Sequence, residues 1–344
     1  MKKLLTAALT ITAAAFMTSC ELRPLVDPNN KVRIEVTIDT DNVSNVTSDI
    51  YNPRLERPVI TTDMVRCMFY DPASGRLLNQ NFISEKSFND KGQEVISGVV
   101  DAVPDTYNLI CYNFDTPNTF VRDEDEYEKI TAYTAKVPNA LISKVIPTKD
   151  FSWSNLKVTY DPDHLVVSRD LDLTIKPHTD AYTIRTTART CIDTYYLQVR
   201  VRGAKNLNNI SAIINGLSPE NQFSRDIRRT DESTGVFFDM KKDYDERIQD
   251  ENQDVICGLF STFGKIEDIS SDAFIVMTLN SKDGKTYQKT INLDKVFKTE
   301  DAIKRHWLLV DEIIDIPEPD PDKPQSGFEP KVEEWEEEHG TIIL

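Results

Sequence analysis

The chain has 344 residues, is 39% hydrophobic and 28% charged, and carries a formal net charge of −17. An acidic chain of this kind repels a phosphate backbone and an anionic bilayer surface, which excludes nucleic acid as a partner and leaves a soluble, globular body. It holds 11 glycines and 4 histidines, and shows no phosphate-cradling loop, Rossmann glycine pattern, G-x-S-x-G elbow or H-E-x-x-H.

Met1–Cys20 opens with Lys2-Lys3, continues through an apolar run from Leu4 to Met17, and ends on Thr18-Ser19-Cys20. The run is shorter than the roughly 20 apolar residues a spanning helix needs. A charged start, a short apolar stretch and small residues before a cysteine resemble a bacterial lipoprotein signal. That resemblance implies removal of residues 1–19 and lipid on Cys20, so that attachment to a membrane rests on Cys20 alone. Removal leaves 325 of the 344 residues, more than one core of roughly 250–300 residues, so two domains are expected.

Residues 20–30, with Pro24 and Pro28, read as a short tether. Val32, Ile34, Val36 and Ile38 then alternate with polar residues, the period-two signature of a half-buried strand. Further strands are expected at Met64–Tyr70, Asn79–Ser84, Val95–Val100 and Tyr107–Phe114, separated by Asp71-Pro72-Ala73-Ser74-Gly75 and Pro104-Asp105 turns. Asp123-Glu124-Asp125-Glu126 lacks the glycine and ligand spacing of a calcium loop and is read as a solvated loop. Leu156–Tyr160 and Leu165–Ile175 follow as strands, the latter with Leu171, Leu173 and Ile175 on one face. Asp161, Asp163 and His164 surround Pro162 and are assigned to turn chemistry rather than metal binding.

Lys176–Asp180 is placed at the crossing between two domains, 31–176 and 181–315. Strands are expected at Tyr182–Thr186, Tyr195–Val201, Val236–Met240, Val255–Phe260, Phe274–Leu279, Tyr287–Leu293 and Trp307–Val310, with a short helix over Lys298–His306. Leu207–Leu217 fits a strand or a helical turn. Asp283-Gly284 is a hairpin turn. Short strands, regular turns and no alternating helices make the chain all-β, built of β-sandwiches. Residues 316–344 form a separate arm: Pro317, Pro319, Pro321 and Pro324 force an extended course.

Besides Cys20, the cysteines at 67, 111, 191 and 257 match no zinc or redox spacing. They are read chiefly as buried thiols, with one disulfide as the alternative. The histidines are scattered, and no catalytic residue, cofactor site or metal site can be nominated. Trp307 is assigned to the core; Trp153 and Trp335 stay open.

Several stretches together resemble Bacteroidales fimbrillin-like lipoproteins, including a domain-of-unknown-function family allied to fimbrial anchor proteins. They are Cys20–Leu25, Val32–Ile38, Val103–Asn113, Val201–Leu207, Asn215–Ser218, Leu259–Gly264 and the tail Gly327–Trp335. The resemblance implies two tandem transthyretin-like β-sandwiches on an outer-membrane lipoprotein that anchors, or is accessory to, a fimbria. It is thus expected to be non-catalytic and to bind fimbrial or other cell-surface protein subunits. It also implies that Val332, Trp335, Ile342 and Leu344 in the tail contact a partner by strand addition, where main-chain hydrogen bonds supply affinity. The alternatives are a surface glycan-binding lipoprotein using exposed aromatic rings and, less favoured, a hydrolase. Where such lipoproteins often carry acidic residues after the lipidated cysteine, this chain has Glu21 and then Leu22-Arg23-Pro24, so the membrane is assigned but not its face.

Overall fold

The computed structural model describes residues 30–39, 62–114, 116–146, 156–243, 253–266 and 273–319. Its first half holds β1 (Lys31–Ile38), β2 (Val65–Tyr70), β3 (Leu77–Ile83), β4 (Glu85–Phe88), β5 (Glu94–Asp101), β6 (Thr106–Asn113), β7 (Thr119–Arg122) and β8 (Thr131–Thr134). Then come helix α1 (Asn139–Val145), β9 (Val158–Tyr160), β10 (Val166–Thr174) and β11 (Tyr182–Thr190). The second half runs β12 (Asp193–Arg202), β13 (Leu207–Leu217), β14 (Glu220–Gln222), β15 (Ile227–Arg228), β16 (Thr234–Asp243), β17 (Gln253–Thr262), β18 (Phe274–Ser281) and β19 (Thr286–Asn292). It closes with α2 (Asp294–Phe297), α3 (Glu300–Arg305) and β20 (Trp307–Asp315). The chain is all-β, as expected, and Leu207–Leu217 is a strand.

One strand order is used twice. In the first half β1 lies between antiparallel β5 and parallel β11; in the second, β12 lies between antiparallel β17 and parallel β20. Opposite them, β2 lies between β3 and β6, and β13 between β16 and β18. A bent strand joins the two layers each time. β3 pairs with β2 while β4, one residue further on, pairs with β5; the single strand β16 pairs with β13 early and β17 late. Alternating residues fill each core: Val32, Ile34, Val36, Phe69, Leu109 and Ile184 in the first, Leu197, Val199, Ile210, Ile214, Phe260 and Met277 in the second.

The crossing between halves differs from the expected one. Lys176–Asp180 joins β10 to β11, and β11 pairs along β1 from Val32↔Tyr182 to Ile38↔Ala188. The first sandwich therefore continues to Thr190, and the chain passes over at Cys191-Ile192. The period-two pattern of Tyr182–Thr186 is real, but its partner is the first strand of the chain. Alternation also fails at Leu171: the register shifts between Asp170 and Leu173, Asp172 takes φ 51°, and Leu171 turns outward, 63% exposed.

β2 is buried at all six positions, because both of its faces are covered. Met68, Tyr70, Ile110, Tyr112 and Val167 point away from the first core and form another cluster with Tyr127, Ile130 and Ala132. Phe223, Phe263 and Ile192 of the second half complete it. A small sheet, β15-β14-β8-β7, spans the halves through Glu220↔Tyr133 and Asn221↔Ala132. The covering is returned by the segment between β8 and β10. α1 and β9 lie on the outer face of β13, β16 and β18, where Val145 and Val158 meet Ile213 and Val276. β9 runs parallel to β16, Val158 opposite Gly235. A Cβ on Gly235 would stand 2.9 Å from Ile213 Cγ2 and 3.3 Å from Leu156, so the bare backbone permits the approach.

Asp161–His164 joins β9 to β10. Asp163 accepts backbone N–H groups of Asn118 and, at 3.2 Å, Thr119, tying down the start of β7. Burial lowers the His164 pKa from 6.5 to about 4. The folded state favours its neutral form, so that contribution is full above pH 6.5 and is lost as pH falls through 4. Burial raises Asp161 from 3.8 to about 6. The folded state favours its protonated form, so that contribution is present below pH 3.8 and is lost as pH rises through 6.

The shared cluster sets the cost of truncation on either side of one hairpin. Phe223→Ala should cost about 3–5 kcal/mol in urea unfolding, whereas Ile227→Ala, 48% exposed on the same hairpin, should cost under about 0.5 kcal/mol. In thermal melts across pH, Asp161→Asn should gain on the natural chain by about 1–3 kcal/mol at pH 7.5 and lose that advantage at pH 3.5. His164→Gln should improve relative to the natural chain as pH falls from 6.5 toward 4.

Candidate interaction surfaces

The two halves differ at one seam. In the first, Val166 and Val167 of β10 pair with Thr190 and Arg189 of β11. Because β3 and β4 are nearly continuous, the order β3-β2-β6-β10-β11-β1-β5-β4 closes into a ring without a long free edge. In the second, α2 and α3 lie between β19 and β20, and among the described residues these two strands end the sheet path. The Lys289–Glu312 ion pair spans them at 2.8 Å. An edge strand offers backbone N–H and C=O groups to another strand, and charged side chains temper that. β20 carries Asp311, Glu312 and Asp315 here.

The chain leaves β20 along the β12–β13 corner. Ile316 donates its backbone N–H to the Arg202 carbonyl at 2.9 Å, and Asn206 Nδ2 donates to the Pro317 carbonyl at 3.1 Å. These bonds fix where the arm starts. The sequence-derived contact residues Val332, Trp335, Ile342 and Leu344 lie outside the described residues, as do the lipidation residue Cys20 and Trp153. Trp307 is buried beside Tyr196 and Cys257, as expected.

A second surface was not legible in the sequence. Phe82 and Phe114 are 49% and 45% exposed, their ring centroids 5.4 Å apart. The Arg66 guanidinium carbon lies 5.6 Å and 5.0 Å from the two rings. Arg66 pairs with Glu124 and donates to Gln80 Oε1 (Nε, 3.1 Å) and to the Tyr112 hydroxyl (3.2 Å). Tyr112 donates in turn to Glu124 at 2.5 Å, and Tyr70 donates to the Glu124 carbonyl at 2.8 Å. Burial, reinforced by the Glu124 carboxylate, pushes both tyrosine hydroxyls far above their ordinary range. The acidic run Asp123–Glu126 is thus not simply a solvated loop. Glu124 turns inward to neutralise Arg66, whose side chain is only 10% exposed.

Two histidines pack against tyrosines. His178 bonds the Lys176 and Lys31 carbonyls and lies against Tyr182. His306 stacks on Tyr195 at 4.6 Å, and burial lowers its pKa. His339 lies outside the described residues. Among the described residues no group of three or more His, Cys, Asp or Glu could hold a metal ion, and no helix is long and apolar enough to cross a membrane. A cleft of about 280 Å³ lies between Leu78, Val103, Phe69 and Tyr107, at the lower end of the range of small-molecule sites.

Known proteins resemble this chain. The chain is 21% identical over 306 residues to Fim4B of Bacteroides ovatus, named as a candidate fimbrium anchoring subunit, covering 88% of this chain and 78% of that one. A candidate adhesin from Bacteroides ovatus, solved by crystallography, superposes with a TM-score of 0.54 at 17% identity, covering 86% of this chain and 94% of its own. The fimbrial anchor protein Mfa2 from Porphyromonas gingivalis gives a looser TM-score of 0.43 at 10% identity, covering 81% of this chain and 88% of its own. Residues 61–239 match the model described as a domain of unknown function, DUF5119. That match takes in more than half of the chain, from just before β2 into β16, and the chain belongs to this family.

Proposed function

We propose that the protein is a lipid-anchored outer-membrane subunit that joins a fimbria to the cell surface by protein–protein contact, without catalysis. The observation that carries this reading is the likeness to a fimbrium anchoring subunit across 88% of the chain, through both halves rather than one module. Cys20, behind its short apolar leader, supplies the membrane attachment, and acyl chains contribute about 0.8 kcal/mol per buried methylene. The arm beyond Pro319 supplies a contact of the strand-addition kind. In it Val332, Trp335, Ile342 and Leu344 are the apolar side chains that a partner's pockets would select. A glycan-binding role needs exposed rings presented as a platform. Among the described residues the exposed rings Phe82 and Phe114 are tilted by 55° with Arg66 beside them, and exposed Phe120 is tilted by 37° against Tyr133.

Two measurements test the two halves of the proposal. Cys20→Ser should move the protein from the membrane fraction to the soluble fraction, and unchanged sedimentation with membranes would refute lipid attachment. Truncation after Pro319 spares β20 and its bonds to β12, so the body should remain folded. In pull-downs from gently solubilised envelopes the truncated chain should retain at least about tenfold less fimbrial subunit than the intact one, a loss of about 1.4 kcal/mol or more. Retention by both forms would move the contact to the sandwiches, and retention by neither would remove the fimbrial role.

A further inference from the structure

Cys67 of β2 and Cys111 of β6 are register partners in an antiparallel pair. Both side chains are free thiols fully buried in the first core, and the nearness of Cys111 together with burial pushes the Cys67 thiol pKa well up. Cross-strand partners hold their Cβ atoms about 4.5–5.5 Å apart, and a disulfide takes about 3.5–4.5 Å, so closure asks for about 1 Å of approach. The other two described cysteines are placed differently. Cys191 lies 2.9 Å from Arg169 Nη2, and Cys257 stands opposite Gln198 and Lys241.

We propose that Cys67 and Cys111 form a cross-strand disulfide as the chain folds in an oxidising compartment. Export of the chain is taken from the reading above; the geometry does not depend on it. The oxidant is a small-molecule or protein disulfide. One cysteine thiolate attacks it, giving a mixed disulfide and releasing one oxidant thiol. The second cysteine then attacks the protein sulfur, forming the Cys67–Cys111 bond and releasing the second thiol, so that two protein thiols are oxidised and one oxidant disulfide is reduced. Neither sulfur is exposed in the folded sandwich, and the nearness of Cys111 together with burial keeps the Cys67 thiol protonated there. The exchange therefore precedes closure of the core, after which the bond is shielded from reductants. It ties together the two strands that carry both the first core and the junction with the second half.

The test uses the full chain carrying Cys20→Ser, unfolded and then refolded with a mixture of oxidised and reduced glutathione. Remaining thiols are alkylated in denaturant and the peptides mapped by mass spectrometry. The expected result is one Cys67–Cys111 peptide, alkylated Cys191 and Cys257, and a Tm about 5–10 °C above that of the reduced protein. The double variant C67A/C111A should show no Tm change with oxidant. Full alkylation of all four cysteines, a different pairing, a linked chain that melts lower, or a shift that persists in the double variant would overturn the proposal. A disulfide that forms on refolding but is missing from protein alkylated directly in cells would instead count against export.

Discussion

The structure depends on each half burying a sheet face that the other leaves bare. Antiparallel sheets usually keep one face wet, but β2 and the stretches Leu109–Asn113 of β6 and Val166–Ser168 of β10 have none. Met68, Tyr70, Ile110, Tyr112 and Val167 face away from the first core and are at most 1% exposed. At about 1.5–3 kcal/mol for each large side chain, exposing these five would cost on the order of 10 kcal/mol. That is comparable to the whole stability of an ordinary domain. The sandwiches are therefore one cooperative body, with ion pairs such as Arg122–Glu220 at 2.5 Å trimming its rim.

This interlocking also explains where the family match falls. Residues 61–239 do not delimit one sandwich. They take in α1 and β9, which cover the second half, and β14 and β15, which help cover the first. The stretch that defines the family thus contains both sides of the exchange. The repeated strand order is common ground between the halves, and the seam is where they part: β10 and β11 close it in one, α2 and α3 separate β19 from β20 in the other.

Much of the strand inventory was legible because half-buried strands must alternate. Val32, Ile34, Val36 and Ile38 announce β1, and Asp283-Gly284 announces the β18–β19 hairpin. Pairing was not legible. Tyr182–Thr186 reads as a strand, but period two cannot say that its partner lies about 150 residues earlier. β2 hides its alternation because both faces are dry, and β10 breaks its own at the bulge beside Asp172. β7, β8, β14 and β15 are each four residues or fewer, too short for any periodic signal. The inward turn of Glu124 had no signature either, since an acidic run reads the same whether one carboxylate faces Arg66 or all face water.

The parallel pairing of first and last strands has a mechanical side. β1 is held along its length by seven register pairs to β11 and seven to β5, and it is the first described strand after the segment that precedes Asn30. Tension on that segment pulls β1 lengthwise between its neighbours. The backbone bonds on both flanks then lie across the direction of pull and are loaded together in shear, instead of parting one after another as in an unzipping hairpin. Pulled from its amino end, the first sandwich would resist by shear along two flanks of β1.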